Sequence, residues 1–181
     1  MRVLDAGRDD EFAYIVEEPH TGAYSLADLA RFEPMHPEEA RHIVGETASA
    51  LEAARQRGLH HLILTPRHVL RLADGSIAVT QVAVGGSLAG RDDVSSSEAT
   101  AIDTRALVDL LYTALTGTWP GDPKDIEGLK GIELAQRRAD GQIATPAEIV
   151  DGVPSDLDAM CRQVLNSGDG PRTPGEVARQ L

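Results

Sequence analysis

The chain has 181 residues, which is enough for one domain with a hydrophobic core. Asp and Glu number 29 against 17 Lys and Arg, and the resulting net charge of -12 disfavours nucleic acid and anionic membranes as partners. No apolar run approaches the roughly 20 residues that a membrane helix needs, and no signal-peptide pattern opens the chain. The single cysteine, Cys161, excludes an internal disulfide, and its apolar helical surroundings predict a buried, inert thiol.

The first third of the chain predicts two strands followed by two helices. The segments MRVLDAG and FAYIVEE are typical of short strands. Ser25 and Asp28 form a capping pair for a short helix. A long helix starts near Pro37 and stops at Gly58. Its apolar residues recur at steps of three and four and are predicted to face the core: Ala40, Ile43, Val44, Thr47, Ala50, Leu51 and Ala54.

The middle of the chain predicts a hairpin, a loop and a buried helix. HVLRLADGSIAVTQVAV alternates around Asp74-Gly75, which is a strong hairpin signal. GGSLAGRDDVSSSEA is rich in Gly and Ser and predicts a surface or disordered loop. DTRALVDLLYTALTG predicts an apolar helix that opens at Asp103 and ends at Gly117.

The last part of the chain predicts two further helices after a polar section. Residues 120–141 are interrupted by Gly and Pro and predict one or two short helices. Ser155 is predicted to cap an amphipathic helix over 155–166. Thr173 is predicted to cap a final short helix that has Pro174 at its first position.

The segment GLHHLILTPRHVL, from Gly58 to Leu70, resembles the catalytic loop of protein kinases, whose pattern is close to G-I-x-H-R-D-L-K-P-x-N-I-L. Pro66 takes the place of the loop Pro and His61 that of the loop His, without gaps. The positions of the Arg, the base Asp, the Lys and the metal-binding Asn hold other residues, namely Leu62, Ile63, Thr65 and His68. The position of the metal-binding Asp after the hairpin holds Gln81.

Four more segments resemble bacterial Ser/Thr kinases in the same order. They are EFAYIVEEPHTGAYSLADLA, HPEEARHIVGETASALEAARQRGLHH, DTRALVDLLYTALTG and SDLDAMCRQVLNSGDGPRTPGEVARQL. The resemblance implies a mainly α, α+β fold: a protein kinase-like C-terminal lobe with the last two strands and the hinge of the N-terminal lobe. Residues 1–24 would then be the remnant of the N-terminal lobe and residues 25–181 the C-terminal lobe.

The replaced residues remove the chemistry of phosphoryl transfer, which needs positioning, metal ions and a carboxylate near the attacking hydroxyl. Ile63 cannot accept a proton, and Thr65 carries no positive charge for the transferred phosphate. His68 and Gln81 are poor substitutes for the oxygen ligands that Mg²⁺ prefers. The resemblance therefore implies a pseudokinase rather than an enzyme, with no cofactor and no bound metal.

Two residues of the resemblance have structural roles in kinases. The loop His, here His61, contacts the segment near the metal-binding Asp, and the helix-opening Asp, here Asp103, binds the backbone of the catalytic loop. A zinc site at His60, His61 and His68 is disfavoured, because adjacent residues of an extended segment point to opposite sides and no further ligand lies nearby.

Thr100 is a candidate phosphorylation site, because it resembles threonines that actinobacterial Ser/Thr kinases accept. The alternative is an ordinary loop threonine. The pattern of replaced catalytic and metal-binding residues also resembles that of kinase-like domains that regulate cell-wall peptidoglycan synthesis. This resemblance implies a cytoplasmic domain of a membrane protein, with an active Ser/Thr protein kinase and a phosphothreonine-reading FHA-domain protein as partners.

Two alternatives remain open: a nucleotide sensor that binds ATP without turnover, and a residual kinase that uses unorthodox residues. The two N-terminal strands also leave an open sheet edge, which invites pairing with another chain. We therefore expect the isolated chain to form a homodimer through residues 3–5 or 13–16.

Overall fold

In the computed structural model, which describes residues 3–8, 13–91 and 93–181, the elements pack around one long buried helix. This helix, α4 (Ser96–Thr116), is buried along most of its last fourteen residues because its sequence is apolar on nearly every side. It contacts α2 and α7 as well as the shorter elements. The α-helices of the described residues are α1 (Leu26–Ala30), α2 (Pro37–Arg55), α3 (Gly85–Leu88), α4, α5 (Pro146–Ile149), α6 (Ser155–Arg162) and α7 (Pro174–Gln180).

The strands of the described residues form three small sheets. A two-stranded antiparallel sheet pairs β1 (Val3–Arg8) with β2 (Ala13–Glu17). A three-stranded antiparallel sheet has the order β3 (Tyr24–Ser25), β4 (Val69–Arg71), β5 (Ile77–Val79). A short parallel pair joins β6 (Thr118–Trp119) to β7 (Glu133–Leu134). The chain is therefore an α+β protein with more helix than sheet, as predicted at that level.

Helix α2 follows the sequence prediction closely. Ser25 and Asp28 form a reciprocal capping box at α1, and Pro37 is the first residue of α2. Gly58 follows the helix with a φ of 75°, a conformation that favours glycine. One core position was wrong: Ala50 is exposed, and Ala48 is buried in its place. Ala48 faces the core because it lies four residues after Val44 and three before Leu51.

The predicted loop over 85–99 was wrong at both ends. Gly85 begins the short helix α3, and α4 begins at Ser96, seven residues before the expected start at Asp103. Ser95 caps α4, with its side chain accepting a hydrogen bond from the N–H of Glu98. The Ser-x-x-Glu spacing that caps this helix was present in the sequence but was assigned to the loop. Asp103 consequently lies in the third turn of α4 and does not open the helix.

The C-terminal part confirms one cap and corrects another. Thr173 caps α7, since its side chain accepts a hydrogen bond from the N–H of Glu176. Ser155 is the first residue of α6, and the capping position is held by Pro154 without a side-chain bond. The α-helix ends at Arg162, and a π-helical turn (Gln163–Ser167) replaces the predicted last turn.

The polar section 120–141 contains one short 3-10 turn (Pro123–Ile126) and the strand β7, so a second helix is absent from this described section. Cys161 is fully buried, and burial raises the pKa of its thiol, which agrees with the predicted inert thiol. Within residues 3–8, 13–91 and 93–181, no helix has the length and apolarity required to cross a membrane.

Candidate functional site: the loop of residues 58–70

The loop is held to the centre of the fold by one buried carboxylate. Asp103, in α4, is 2% exposed. Its Oδ2 accepts a hydrogen bond from the N–H of His61 at 2.9 Å, and its Oδ1 accepts one from the N–H of Leu62 at 2.8 Å. A charged acceptor that satisfies two backbone donors away from water fixes the position of the loop strongly.

The ring of His61 joins the loop to the hairpin of β4 and β5. His61 is fully buried, and its Nε2 donates a hydrogen bond to the carbonyl of Thr80 at 2.9 Å. Because a carbonyl can only accept, the proton of this imidazole lies on Nε2. Burial lowers the pKa of His61, while the nearby Asp103 opposes that shift.

Thr65 and His68 bind each other. The N–H of Thr65 donates to Nδ1 of His68 at 3.1 Å, and the Thr65 hydroxyl lies 3.0 Å from the same nitrogen. Nδ1 must therefore be unprotonated, so His68 is neutral with its proton on Nε2. Burial, followed by the charges of His61 and Arg67, lowers the pKa of His68 to about 4, against a bond from Gln81 that raises it.

The side chains of Ile63 and Gln81 meet at helix α3. A Cβ placed on Gly85 would lie 2.5 Å from Cδ1 of Ile63 and 3.4 Å from Oε1 of Gln81. A Cβ on Gly86 would lie 2.7 Å from Cδ1 of Leu62. The two glycines thus let the backbone of α3 lie directly on the loop, where any larger residue would push it away.

The backbone on either side of this contact is strained. Leu62, Gln81 and Ala83 have φ values of 67°, 62° and 67°, in the left-handed region that side chains other than glycine rarely adopt. The carbonyl of Leu62 accepts a hydrogen bond from Arg91 at 3.0 Å, and the N–H of Ala83 donates to the carbonyl of His60 at 3.0 Å. These bonds stabilise the local conformation against its cost.

The structure thus brings together all four degenerate positions: Ile63, Thr65, His68 and Gln81. They offer a hydrocarbon, a hydroxyl, a neutral imidazole and an amide, and none of these supplies a negative charge for a divalent cation. Across the described ranges, no three His, Cys, Asp or Glu side chains are grouped closely enough to hold a metal ion.

One charged group near the loop was missed by the sequence analysis. Asp109 in α4 is buried, and desolvation raises its pKa to about 6, although its ion pair with Arg105 (3.0 Å) acts in the opposite direction. Asp125 also raises it, and both carboxylates line a small cavity together with Ile63. The signal was available, since an Asp inside an apolar helix is unusual.

Thr100 does not lie in a loop. It is the fifth residue of α4 and is partly buried, and its hydroxyl donates to the carbonyl of Ser96 at 2.8 Å. A kinase would have to open the first turns of the helix to reach an extended segment around it.

Comparisons with known proteins show a weak similarity to bacterial Ser/Thr protein kinases. No protein-family profile matches the chain. It is 24% identical over 189 residues to the serine/threonine-protein kinase PknL of Mycobacterium tuberculosis, an alignment that covers 93% of this chain and 46% of that protein. It is 25% identical to PknB of Mycobacterium leprae over 91% of this chain and 29% of that protein. A shorter match to PrkC of Bacillus subtilis is 30% identical over 88 residues, or 49% of the chain and 14% of that protein.

The chain spans less than half the length of these curated relatives. The similarity is weak, but it extends over most of the chain and supports a protein kinase-like fold. That fold was the expectation from the sequence.

Proposed function

We propose that this chain is a catalytically inactive kinase-like domain that acts as a phosphorylation-dependent scaffold. The observation that carries the proposal is the set of side chains at the positions that catalyse phosphoryl transfer in kinases. Ile63 packs on α3 where a catalytic carboxylate would be needed, while Thr65 and His68 bind each other. Without acidic oxygens at His68 and Gln81, the loop offers Mg²⁺ no suitable ligands, and the charge of ATP would remain uncompensated beside a protein of net charge -12.

The assignment to lobes belongs to the same proposal. Residues 25–181 would correspond to the C-terminal lobe of a kinase, with α4 as its central buried helix. Residues 1–24 would be the hinge and the last two strands of the N-terminal lobe. In support, strands β1 and β2 pair mainly with each other and present exposed apolar side chains, including Leu4, Tyr14 and Val16.

A phosphate-transfer assay tests inactivity directly. The chain with ATP and Mg²⁺ is expected to transfer no labelled phosphate to itself or to a generic protein substrate. The variant that restores the two carboxylates and the amide oxygen of the kinase pattern, Ile63→Asp with His68→Asn and Gln81→Asp, is the matched comparison. Transfer by the wild-type chain at a rate comparable with an active bacterial kinase would contradict the proposal and favour a kinase with unorthodox residues.

A thermal-shift experiment separates the scaffold from the nucleotide sensor, because a ligand that binds only the native state raises its melting temperature by mass action. We expect no shift with ATP, whether or not Mg²⁺ is present. A shift that is independent of Mg²⁺ would favour the sensor.

The scaffold role itself rests on partner binding. The pattern of losses and the general sequence character resemble the intracellular kinase-like domain of the mycobacterial lipid II flippase MviN. On that basis the chain would be the cytoplasmic part of a membrane protein, phosphorylated by an active Ser/Thr kinase, and would then recruit an FHA-domain protein to regulate peptidoglycan synthesis. Phosphate adds about -2 charge and strong acceptor oxygens for such recognition.

Reconstitution tests this role in steps. The chain is incubated with an active bacterial Ser/Thr kinase and ATP, the modified residue is located by mass spectrometry, and an FHA domain is added. We expect a complex that depends on phosphorylation, with Thr100→Ala showing whether Thr100 is the residue involved. Failure of the phosphorylated chain to bind any FHA domain of its own organism would overturn the scaffold role.

A further inference from the structure

Three side chains that the proposed function does not use lie in a row beside the loop. Nε2 of His60 lies 3.3 Å from Oγ of Ser96, and Nδ1 of the same ring lies 3.6 Å from Oδ2 of Asp103. The carboxylate thus faces Nδ1 of the imidazole and the hydroxyl faces Nε2. This is the arrangement that activates a serine nucleophile. Distances slightly longer than ideal are usual for such groups before a substrate binds.

The surroundings of His60 decide which nitrogen carries its proton. The side chain is 9% exposed, and its buried Nδ1 makes no hydrogen bond within the described part of the chain. Asp103 is the acceptor that it faces, so a proton on Nδ1 is favoured by the negative charge. Oδ2 of Asp103 already accepts from the N–H of His61, but a carboxylate oxygen has a second lone pair. Nε2 therefore presents its lone pair to Ser96.

Ser96 also lies at a favourable electrostatic position. It is exposed and is the first residue of α4, a helix of 21 residues. The N–H of Glu98 is bound by the side chain of Ser95, whereas the N–H groups of Ser96 and Ser97 belong to the first turn, which has no intrahelical acceptors. These donors and the positive end of the helix can stabilise negative charge that develops next to Ser96.

A cleft begins at the neighbouring residue. Ser97 lines a cavity of about 430 Å³ whose walls include apolar groups of Ala101, Val164 and Pro171.

We propose that Ser96 is an activated nucleophile that accepts an acyl group from a small activated ester, with His60 as general base and Asp103 as its positioning residue. Oγ of Ser96 forms a bond to the carbonyl carbon, and its proton moves to Nε2 of His60. The bond from that carbon to the leaving oxygen then breaks, and His60 returns the proton to this oxygen. The products are an acylated Ser96 and a free alcohol, and no oxidant or reductant is involved.

An alkyl fluorophosphonate tests the proposal on the whole chain, because the same attack displaces fluoride and leaves a stable phosphonyl serine. Intact mass and peptide mapping are expected to show one adduct, located at Ser96. Ser96→Ala should abolish it. Ser49→Ala, at an exposed serine in α2, should label at the wild-type rate. His60→Gln should slow labelling at least about tenfold. This threshold is modest, because a general base typically contributes about 100- to 10,000-fold to a rate.

The heat-unfolded wild-type chain provides a second measurement that depends on no variant. It is expected to show no adduct at Ser96, because Ser96, His60 and Asp103 lie side by side only in the folded protein. Three results would each overturn the proposal: no adduct at Ser96 under conditions that label a serine hydrolase fully, comparable labelling of the neighbouring serines, or unchanged labelling of a folded His60→Gln variant.

Discussion

Oδ1 of Asp103 accepts a hydrogen bond from the N–H of Leu62 at 2.8 Å, although the two residues lie 41 positions apart and Leu62 has a φ of 67°. The long central helix therefore holds a strained backbone in place from within the core. Strain of this kind costs of the order of 1–3 kcal/mol and persists only where the surroundings fix it.

Replacing Asp103 tests this anchor. Asp103→Ala leaves the N–H groups of His61 and Leu62 without their charged acceptor in a buried region. We expect the free energy of unfolding to fall by about 3 kcal/mol, since each unsatisfied donor costs about 1–3 kcal/mol. Urea denaturation measures the change. Asp151→Ala, at an exposed position, is the control, and an equal effect of both substitutions would contradict the anchor.

The close contact between α3 and the loop predicts an unusual response to alanine. Gly86→Ala would place a methyl group 2.7 Å from Cδ1 and 3.1 Å from Cβ of Leu62, so we expect a loss of about 1–3 kcal/mol from overpacking. Gly45→Ala is the matched control, because Gly45 lies inside α2 with ordinary space around it. That change should stabilise the chain by about 0.5–1 kcal/mol. Thermal unfolding that shows the same sign for both would refute the contact.

The buried Asp109 predicts a stability that falls with rising pH. Its pKa is raised from 3.8 to about 6, so between these values the folded chain keeps a proton that the unfolded chain has lost. Above pH 6 the Asp109 carboxylate is ionised in the folded chain as well, so the full free-energy cost of burying its charge applies there. Asp109→Asn should therefore stabilise the chain by about 1–2 kcal/mol at pH 7.5, after allowance for the lost pair with Arg105. The difference between variant and wild type should vanish near pH 4; a constant difference from pH 4 to 7.5 would contradict the assignment.

His68 predicts the opposite slope over nearly the same range. Its pKa is lowered from 6.5 to about 4, so the folded chain binds fewer protons than the unfolded chain between these values. Its contribution to stability is therefore lost as the pH falls from 6.5 to 4. NMR can follow His68 alone: its ring signals should titrate with a midpoint of about 4, and long-range ¹H–¹⁵N spectra at pH 7 should show the Nε2–H tautomer. A midpoint near 6.5 would contradict the effect of burial on the ring, and an Nδ1–H tautomer would exclude the bond from Thr65 to Nδ1.

The hairpin of β1 and β2 predicts self-association. Each strand has one edge without a partner among the described strands, and Val16 is 44% exposed. We expect sedimentation to show a concentration-dependent dimer that Val16→Lys weakens. Leu134→Lys, at a similarly exposed apolar residue in β7, should leave it unchanged. A monomer at all accessible concentrations would refute this prediction.

The sequence by itself determined the features whose signals act within one or two turns. The capping box of Ser25 and Asp28, the position of Pro37, the stop at Gly117 and the hairpin turn at Gly75 followed from local chemistry, and the structure has each of them. The resemblance of several segments to those of bacterial Ser/Thr kinases, in the same order, predicted the kinase-like fold. Local rules work here because a cap or a turn is satisfied by residues that are only a few positions away.

Only the tertiary structure decided how the loop is closed. It alone places Ile63 against Gly85, gives His68 its tautomer, buries Asp109 and brings Ser96 to His60. The pairs Thr65–His68, Ile63–Gly85 and His60–Ser96 are 3, 22 and 36 positions apart. The strength of each interaction depends on how deeply it is buried and on which acceptor each polar group meets. Neither quantity exists until the chain has packed around α4, because charge and hydrogen bonding acquire their full strength only when water is excluded.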